Sequence, residues 1–244
     1  MDTLSVRDHD EIKMDTLELV KFIMTYKFAV NEITTKLNIL NEEFKYVHDY
    51  KPIENISSRV KTPESILQKM KRKDCDLTIK SIKENIKDIA GVRITCSFIS
   101  DVYKVYEMLQ KQKDIDVVQC KDYIKHPKPN GYQSLHLIII IPVFLSDRVE
   151  DTYVEIQIRT KAMDFWASLE HKIYYKFGKE IPENLTNELK EAALSAIELD
   201  KKMERLHEEV KLIKNIKVVN EPIINIQVNG SNLSQLLEEI DHTC

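Results

Sequence analysis

The chain has 244 residues, of which 43% are hydrophobic and 31% charged, with a formal net charge of -4. This composition supports one well-filled core, and it excludes both a disordered chain and a surface that attracts polyanions as a whole. There is no apolar run of the roughly 18 residues that a membrane span requires and no signal-peptide pattern, and the four cysteines are scattered, so we expect a reduced, cytoplasmic protein.

Two long helices are predicted, over residues 15–48 and 183–214, because apolar residues recur there at alternating spacings of three and four. The first stripe begins at Leu19 and ends at Val47, and the second begins at Leu185 and ends at Ile213. Each stripe is heptad-like. Each can pack against a central domain or form a helix-to-helix contact in an oligomer, and the spacing fits both.

Short helices and strands are predicted between the two long helices. Thr62 and Pro63 favour a helix start before 64–73; strands are expected over 92–98, 115–120, 135–143 and 153–158, and helices over 101–111 and 163–177. The nearly continuous apolar run at 135–143 favours a strand inside the sheet. This order predicts an α/β (α+β) fold, with a mixed central β-sheet flanked by helices. We expect one domain over 1–217 with its core at 57–177, and a tail over 218–244 in which 223–228 favour a strand and 231–240 a helix.

Glycine is scarce, which limits how this chain can bind phosphates. The only glycines are Gly91, Gly131, Gly178 and Gly230, and neither GxxxxGK[ST] nor GxGxxG can be written with them. A glycine-rich phosphate loop is therefore excluded. Any phosphate must be held by side chains and a metal ion.

Two carboxylates are candidates for such a metal site. Glu155, Gln157 and Arg159 are spaced by two, so they share one face of a strand, although a solvated sheet face has the same pattern. Asp88 precedes Ile89-Ala-Gly91 and by itself resembles a turn residue. Mg²⁺ is commonly held by one or two carboxylates together with substrate phosphates, and strands that bring Asp88 and Glu155 together would form such a site.

Two further segments, residues 59–69 and the loop at 121–131 with the residues after it, carry side chains that can bind a nucleotide. Arg59 and Lys61 share a face if extended, and Ser65 and Lys69 share a helical face, although an ordinary basic surface has the same composition. The loop at 121–131 and the residues after it supply charge, an amide and an aromatic ring, the groups that a nucleotide requires. These loop residues are Lys121, Lys128, Asn130, Tyr132 and His136.

In this order the motifs resemble a known family. They are Arg59-Val-Lys61, Asp88-Ile-Ala-Gly-Val-Arg93, Asn130-Gly-Tyr132-Gln-Ser-Leu-His136, and Glu155-Ile-Gln-Ile-Arg-Thr160 followed by Trp166-Ala-Ser-Leu-Glu170-His171. The set resembles the synthetase domain of the bacterial RelA/SpoT stringent-response enzymes, and most closely their small single-domain members of the RelQ type. The resemblance covers about residues 57–177.

The resemblance implies a nucleotidyltransferase-like sheet and a GTP/GDP pyrophosphokinase that moves the β,γ-pyrophosphate of ATP to the 3′-hydroxyl of a guanine nucleotide. It implies that Asp88 and Glu155 hold Mg²⁺, with Glu155 also taking the hydroxyl proton. Arg59 and Arg93 would enclose the adenine, and Lys61, Ser65 and Lys69 would bind the ATP phosphates. On the acceptor side the expected residues are Tyr132 and Asn130 for the guanine, Lys121, Lys128 and His136 for phosphates, and Gln157 and Arg159 as supports.

Two departures from the family pattern concern different sides of the site. Ser57-Ser58 stand where close relatives often have Gly, which bears on the loop geometry and the placement of the donor. Some relatives have Arg at the positions of Gln133 and Lys121, which leaves the acceptor open among GMP, GDP and GTP. The family implies a homo-oligomer, usually a tetramer, and no membrane or DNA partner; RNA binding has no support in the sequence.

The dipeptides His9-Asp10 and His48-Asp49 are expected to be accidental, because too little chain precedes the synthetase segment for a hydrolase domain. The competing hypotheses are an AMP-moving nucleotidyltransferase and a non-catalytic RNA-binding or regulatory module.

Overall fold

The computed structural model describes residues 16–177 and 182–220, and the side chains of residues 17–173 and 182–213. In chain order the described elements are α1 (Thr16–His48), β1 (Ile53–Val60), α2 (Pro63–Arg72), α3 (Ile79–Asn85), β2 (Ala90–Cys96), α4 (Ile99–Gln110), β3 (Asp116–Asp122), β4 (Leu135–Phe144), β5 (Val149–Thr160), α5 (Lys161–Phe177) and α6 (Glu183–Asn220). The chain divides into two compact units between Glu204 and Arg205, within α6. None of the described helices has the length and apolar character that crossing a membrane requires.

The five strands form one mixed sheet in the order β1-β2-β5-β4-β3. β2 and β5 are parallel neighbours, and the other three pairs are antiparallel. The parallel pair needs a long connection, which α4, β3 and β4 provide. The prediction of a mixed sheet flanked by helices is confirmed, and the apolar strand β4 lies inside it, between β5 and β3.

The two faces of the sheet differ because side chains alternate along each strand. On one face Val92 and Ile156 are 2% and 0% exposed, within the core that α1 and α4 help to form. On the other face the register places Arg93 beside Gln157 and Gln157 beside His136. Three neighbouring strands therefore present polar side chains on one surface of a well-packed sheet.

The N-terminal helix α1 packs its predicted stripe against the sheet. Tyr26, Ile33 and Leu37 are at most 3% exposed, and α1 contacts β1, β2, β4 and β5. The buried Asn41 also fixes the start of β1, since its Oδ1 accepts the Ile53 N–H at 3.0 Å and its Nδ2 donates to the Ile53 carbonyl at 3.1 Å. For this helix, the predicted packing against the central domain is confirmed.

The C-terminal helix α6 turns a different face toward the protein. Ala193 and Asp200 are 2% and 6% exposed, whereas Leu199 and Met203 of the predicted stripe are 53% and 42% exposed. Ala193 packs beside Trp166, where a small side chain permits a close approach. Packing against the central domain is therefore wrong for Leu199 and Met203, because the smaller and hydrogen-bonding residues of α6 occupy that interface.

The short elements follow local signals to different extents. Thr62 Oγ1 accepts the Ser65 N–H at 3.3 Å and Pro63 is the first residue of α2, which confirms the predicted helix start. α3 is absent from the sequence prediction, since its seven residues bury only Ile82 and give no periodic pattern. The strand expected over 223–228 and the helix expected over 231–240 lie outside the described residues.

Thr160 joins the end of β5 to two helices. Its Oγ1 accepts the Met163 N–H at 3.1 Å, so it caps the start of α5, and it donates to Asp200 Oδ2 of α6 at 2.6 Å. Burial raises the pKa of Asp200 to about 6, against the hydrogen bond from Thr160 and with help from Glu204. The folded state therefore holds a proton on Asp200 more tightly than the unfolded chain does, and stability falls as the pH rises from about 4 through about 6.

Asp200→Asn is expected to stabilise the protein at pH 7.5, because it removes a buried charge and keeps an oxygen that can accept from Thr160. The gain can reach about 3 kcal/mol, the equivalent of a shift of about two pKa units. Thermal unfolding at pH 7.5 and pH 5 measures it, and the gain should shrink at pH 5, where wild-type Asp200 is largely protonated. Equal differences at the two pH values would contradict this role.

Candidate active site

The polar face of the sheet opens into a cavity of about 200 Å³ between β1, β2 and β5. Arg59, Arg93, Glu155 and Gln157 line it together with Ser57 and Ser58. These side chains meet because Arg59 pairs with Gly91, Gly91 pairs with Glu155, and Arg93 pairs with Gln157 in the sheet register. The cavity thus places two arginines and one carboxylate around a common space.

A second cavity of about 400 Å³ lies beside α2. The predicted residues Lys61, Ser65, Lys69 and Asp88 line it, together with Gln68 and Arg72. The backbone N–H of Lys61 donates to the Ile89 carbonyl at 2.8 Å, so the pairing of β1 with the β2 segment continues up to this cavity. Three cations therefore surround one carboxylate here, a composition that suits a phosphate chain and its metal ion.

Two lysines bind one oxygen of the Asp88 carboxylate, and the other oxygen has no hydrogen-bond partner in the described part of the chain. Lys61 Nζ and Lys69 Nζ contact its Oδ2 at 2.9 and 2.5 Å. Burial by itself would raise the pKa of Asp88, but the hydrogen bonds from Lys69 and Lys61 outweigh it and hold that pKa below its usual value. Its Oδ1 is buried without a hydrogen-bond partner. A buried, unpartnered carboxylate oxygen is a suitable ligand for Mg²⁺, which prefers oxygen donors.

Asp88 and Glu155 lie at neighbouring strands, as the metal-site hypothesis requires. Glu155 is on β5, and Asp88 stands two residues before β2, the parallel neighbour of β5. In the described structure no hydrogen bond joins the two carboxylates, and each lines its own cavity. If both carboxylates hold one ion, Asp88 would contribute from one cavity and Glu155 from the other.

Arg159 organises the centre of the polar face. Its guanidinium is 5% exposed, and its Nη2 donates to Tyr132 Oη at 2.6 Å and to Gln157 Oε1 at 2.7 Å. Its Nη1 donates to Asp164 Oδ1 at 3.2 Å. One buried arginine thereby fixes residues of β5, of α5 and of the loop before β4.

Tyr132 also links Arg159 to His136. Arginine can only donate, so Tyr132 Oη accepts from Arg159, and the same Oη is hydrogen-bonded to His136 Nε2 at 2.7 Å. Burial, followed by Arg159, Lys128 and Lys121, lowers the pKa of His136 to about 3. His136 is thus neutral at pH 7, so its single N–H carries no positive charge.

A second branch from Arg159 ends on Glu155. Because Gln157 Oε1 accepts from Arg159, the amide of Gln157 points its Nε2 toward Glu155 and donates to Oε2 at 3.0 Å. This bond holds the Glu155 carboxylate in one orientation. The other oxygen, Oε1, remains for a substrate proton or a metal ion.

The loop before β4 gathers the remaining predicted residues around Tyr132. Lys128 Nζ lies 4.8 Å from the ring centroid of Tyr123 and 4.9 Å from that of Tyr132. Lys121 of β3 is the sheet partner of His136. The loop therefore presents an aromatic ring with the exposed cation of Lys128 beside it.

Asn130 is engaged at both ends of its amide. Its Oδ1 accepts the Tyr132 N–H at 3.1 Å, and its Nδ2 donates to Glu170 Oε1 at 3.1 Å. Binding to the edge of a guanine ring would require Asn130 to exchange its bond with Glu170 for one with the base. Glu170 therefore holds the side chain of Asn130, a predicted acceptor-side residue, in its present position.

Sequence reasoning missed four residues that touch this site: Gln68, Arg72, Asp164 and Glu170. Helical spacing could have found Arg72, which stands three residues after Lys69 on the same face of α2. Glu170 is within the recognised motif, but its contact with Asn130 joins residues 40 positions apart. For Asp164 no local pattern distinguishes it from an ordinary acidic residue in the first turn of a helix.

Known proteins are similar to this chain in sequence and in fold. Residues 58–180 match the family described as a region found in RelA/SpoT proteins. The GTP pyrophosphokinase YwaC of Bacillus subtilis is 53% identical over 207 residues, which are 85% of this chain and 99% of that protein.

Two solved structures from the same organism agree. The small alarmone synthetase 2 is 53% identical with a TM-score of 0.72, over 78% of this chain and 98% of that one. The small alarmone synthetase 1 bound to its product pppGpp is 39% identical with a TM-score of 0.73, over 79% of this chain and 98% of that one. The chain belongs to the RelA/SpoT family and, within it, to the small alarmone synthetases.

Proposed function

We propose that this chain transfers the β,γ-pyrophosphate of ATP to the 3′-hydroxyl of a guanine nucleotide, which yields a (p)ppGpp-type alarmone and AMP. The 3′-oxygen forms a bond to the β-phosphorus, and the bond between that phosphorus and the oxygen bridging to the α-phosphate breaks. The bridging oxygen leaves with AMP. The proton of the 3′-hydroxyl passes to Glu155.

The observation that carries this proposal is the hydrogen-bonded branch from Arg159 through Gln157 to Glu155. It orients one carboxylate in the cavity that Arg59 and Arg93 line, while Lys61 and Lys69 line the second cavity with Asp88. Pyrophosphoryl transfer depends on positioning and on neutralising charge more than on a protein nucleophile. This geometry supplies a fixed proton acceptor and cations on both sides of it.

On the donor side, Arg59 and Arg93 bind the adenine between their planar guanidinium groups, and the cavity at α2 takes the phosphates. Arginine stacks well on flat rings, whereas lysine acts as a point charge toward phosphate. Lys61, Ser65 and Lys69 therefore contact the phosphate chain, with Asp88 between the two lysines.

On the acceptor side, Tyr132 stacks on the guanine, with Asn130 at the base edge. Lys128, which now lies over the Tyr132 ring, moves to an acceptor phosphate when the base arrives. Lys121 supplies a second cation, and His136 supplies a neutral N–H donor. Gln157 orients Glu155 through a hydrogen bond, and Arg159 orients Gln157 and Tyr132 in the same way.

Mg²⁺ fits the donor set of this site, and Asp88 and Glu155 would hold it. When bound, the ion supplies charge neutralisation to the donor phosphates. Asp88→Asn is expected to raise the Mg²⁺ concentration for half-maximal turnover by about tenfold or more, because it replaces a charged ligand oxygen by a neutral one. Turnover as a function of Mg²⁺ measures this, with the exposed Glu84→Gln as control; an unchanged Mg²⁺ dependence would exclude Asp88 as a ligand.

The reaction itself is tested with γ-labelled ATP and, in turn, GMP, GDP and GTP. Thin-layer separation should show the label on the guanine nucleotide, with AMP formed in equal amount. Label in free pyrophosphate would instead indicate transfer of AMP and refute the proposal. The acceptor with the largest kcat/KM identifies the product.

We further propose that copies of the chain associate as a homo-oligomer in the cytoplasm. Support for association comes from the predicted stripe of α6, where Leu199 and Met203 are 53% and 42% exposed. Such a stripe on one helix is typical of a helix-to-helix contact. The free thiols of Cys75, Cys96 and Cys120 suit a reducing compartment. Light scattering of the purified protein gives the number of chains.

A further inference from the structure

Arg93 and Arg159 stand close together in the site, although the proposed function assigns them to different substrates. Arg93 lines the donor cavity, and Arg159 holds Tyr132 on the acceptor side. Burial and then the neighbouring Arg159 lower the pKa of Arg93, a sign that the two guanidinium charges repel one another. Two neighbouring guanidinium groups in a partly buried site are stabilised by a carboxylate that both can contact.

Asp164 provides that counter-charge. Its Oδ1 accepts from Arg159 Nη1 at 3.2 Å and lies 3.5 Å from Arg93 Nη1. Among the described side chains it is the only carboxylate within 4.0 Å of either guanidinium. Its own side chain is 28% exposed, so water screens the arrangement only in part. A single oxygen thus joins a donor-side arginine to an acceptor-side arginine.

The backbone around Asp164 is anchored to the rest of the protein. It lies in the first turn of α5, and Thr160 caps that helix while it is bonded to α6. The position of the carboxylate relative to β5 is therefore set by backbone structure. A residue in a flexible loop would be a poor bridge, whereas one in a capped first turn holds both arginines against the sheet.

We propose that Asp164 is a positioning residue that couples the ATP-binding side of the site to the guanine-nucleotide side. It contacts Arg93 and Arg159 and no reacting atom. It keeps Arg159 turned toward Tyr132 and Gln157, and it keeps Arg93 in the donor cavity. This inference rests on the proposed function for the identity of the two substrates.

The bridge has a simpler alternative, which is that Asp164 only stabilises the start of α5 through the helix dipole. Such a role would lower the unfolding temperature and leave both KM values unchanged. A matched control is Glu183, an acidic and exposed residue in the first turn of α6. Glu183→Gln removes a charge of the same kind from a helix start outside the cavities.

The test is Asp164→Asn, with KM measured separately for ATP and for the guanine nucleotide. We expect both KM values to rise about tenfold, since hydrogen bonds to charged groups are worth about 1.5–3 kcal/mol, while Glu183→Gln leaves both within twofold. Asp164→Glu, which restores the charge, should recover part of the loss. Unchanged KM values in Asp164→Asn would refute the bridge.

A double-mutant cycle separates action through Arg93 from a general defect. In an Arg93→Ala protein, Asp164→Asn should no longer change the KM for ATP but should still raise the KM for the guanine nucleotide. Equal effects in both backgrounds would contradict the proposal. A wild-type protein without pyrophosphate transfer would refute the proposed function instead; titration of ATP and GDP binding to wild type and Asp164→Asn then still tests the bridge.

Discussion

Glu155→Gln is expected to lower kcat by about a thousandfold, in the middle of the range that removal of a general base produces. The substitution keeps the length of the side chain, and its amide oxygen can still accept the Gln157 hydrogen bond that Glu155 Oε2 now takes at 3.0 Å. What it removes is the ability to take the 3′-hydroxyl proton and to contribute charge to the metal site. KM for both nucleotides should stay within about twofold, because Glu155 contributes to the transition state more than to binding.

The measurement is steady-state turnover with saturating Mg²⁺, ATP and acceptor. Asp151→Asn is a suitable control, because Asp151 is an exposed carboxylate on the same strand, four residues away. It should leave kcat unchanged. Full turnover by Glu155→Gln would show that Glu155 is neither the base nor an essential ligand.

Gly131→Ala is expected to reduce the free energy of unfolding by about 2–5 kcal/mol, for two separate reasons. Gly131 has φ = +87°, a left-handed conformation that costs other residues about 1–2 kcal/mol. A Cβ at this position would also lie 2.4 Å from the Cβ of Ala193 in α6, and overpacking of this kind costs about 1–3 kcal/mol. Because Asn130 and Tyr132 flank Gly131, the KM for the guanine nucleotide should rise as well.

Chemical denaturation of single and double variants separates the two causes. Ala193→Gly should relieve the contact but not the backbone strain, so the Gly131→Ala, Ala193→Gly protein should lose less stability than the sum of the two single losses. The single Ala193→Gly protein should lose about 1 kcal/mol through its effect on the helix. Simple additivity would show that α6 does not constrain this loop.

The repeating patterns predicted most of the secondary structure. The stripe of α1, the apolar β4 and the alternation in β5 are local properties of consecutive residues, and all three elements were found close to their predicted positions. α6 shows the limit of such patterns. Its apolar stripe predicted the helix, but Ala193 and Asp200 face the protein, since close packing and a hydrogen bond to Thr160 favour that side.

In the candidate site too, some features follow from local patterns and others depend on which strands pair. Strand alternation alone puts Glu155, Gln157 and Arg159 on one face, and the glycine count alone excludes a glycine-rich phosphate loop. The order of the strands then brings Arg93 and His136 beside Gln157. No local pattern contains that order, because it depends on which strands pair.

Local patterns in the sequence therefore predicted the two long helices, four of the five strands and the residue types available for phosphate chemistry, but not α3 or β1. That Arg159 lies at the centre of the polar face, that Asp164 lies between two arginines and that His136 is neutral became visible only in the folded protein. The physical reason is that burial, pKa and hydrogen-bond direction depend on neighbours from distant parts of the chain. The sequence specifies which chemical groups a side chain carries, whereas the fold specifies which groups surround it.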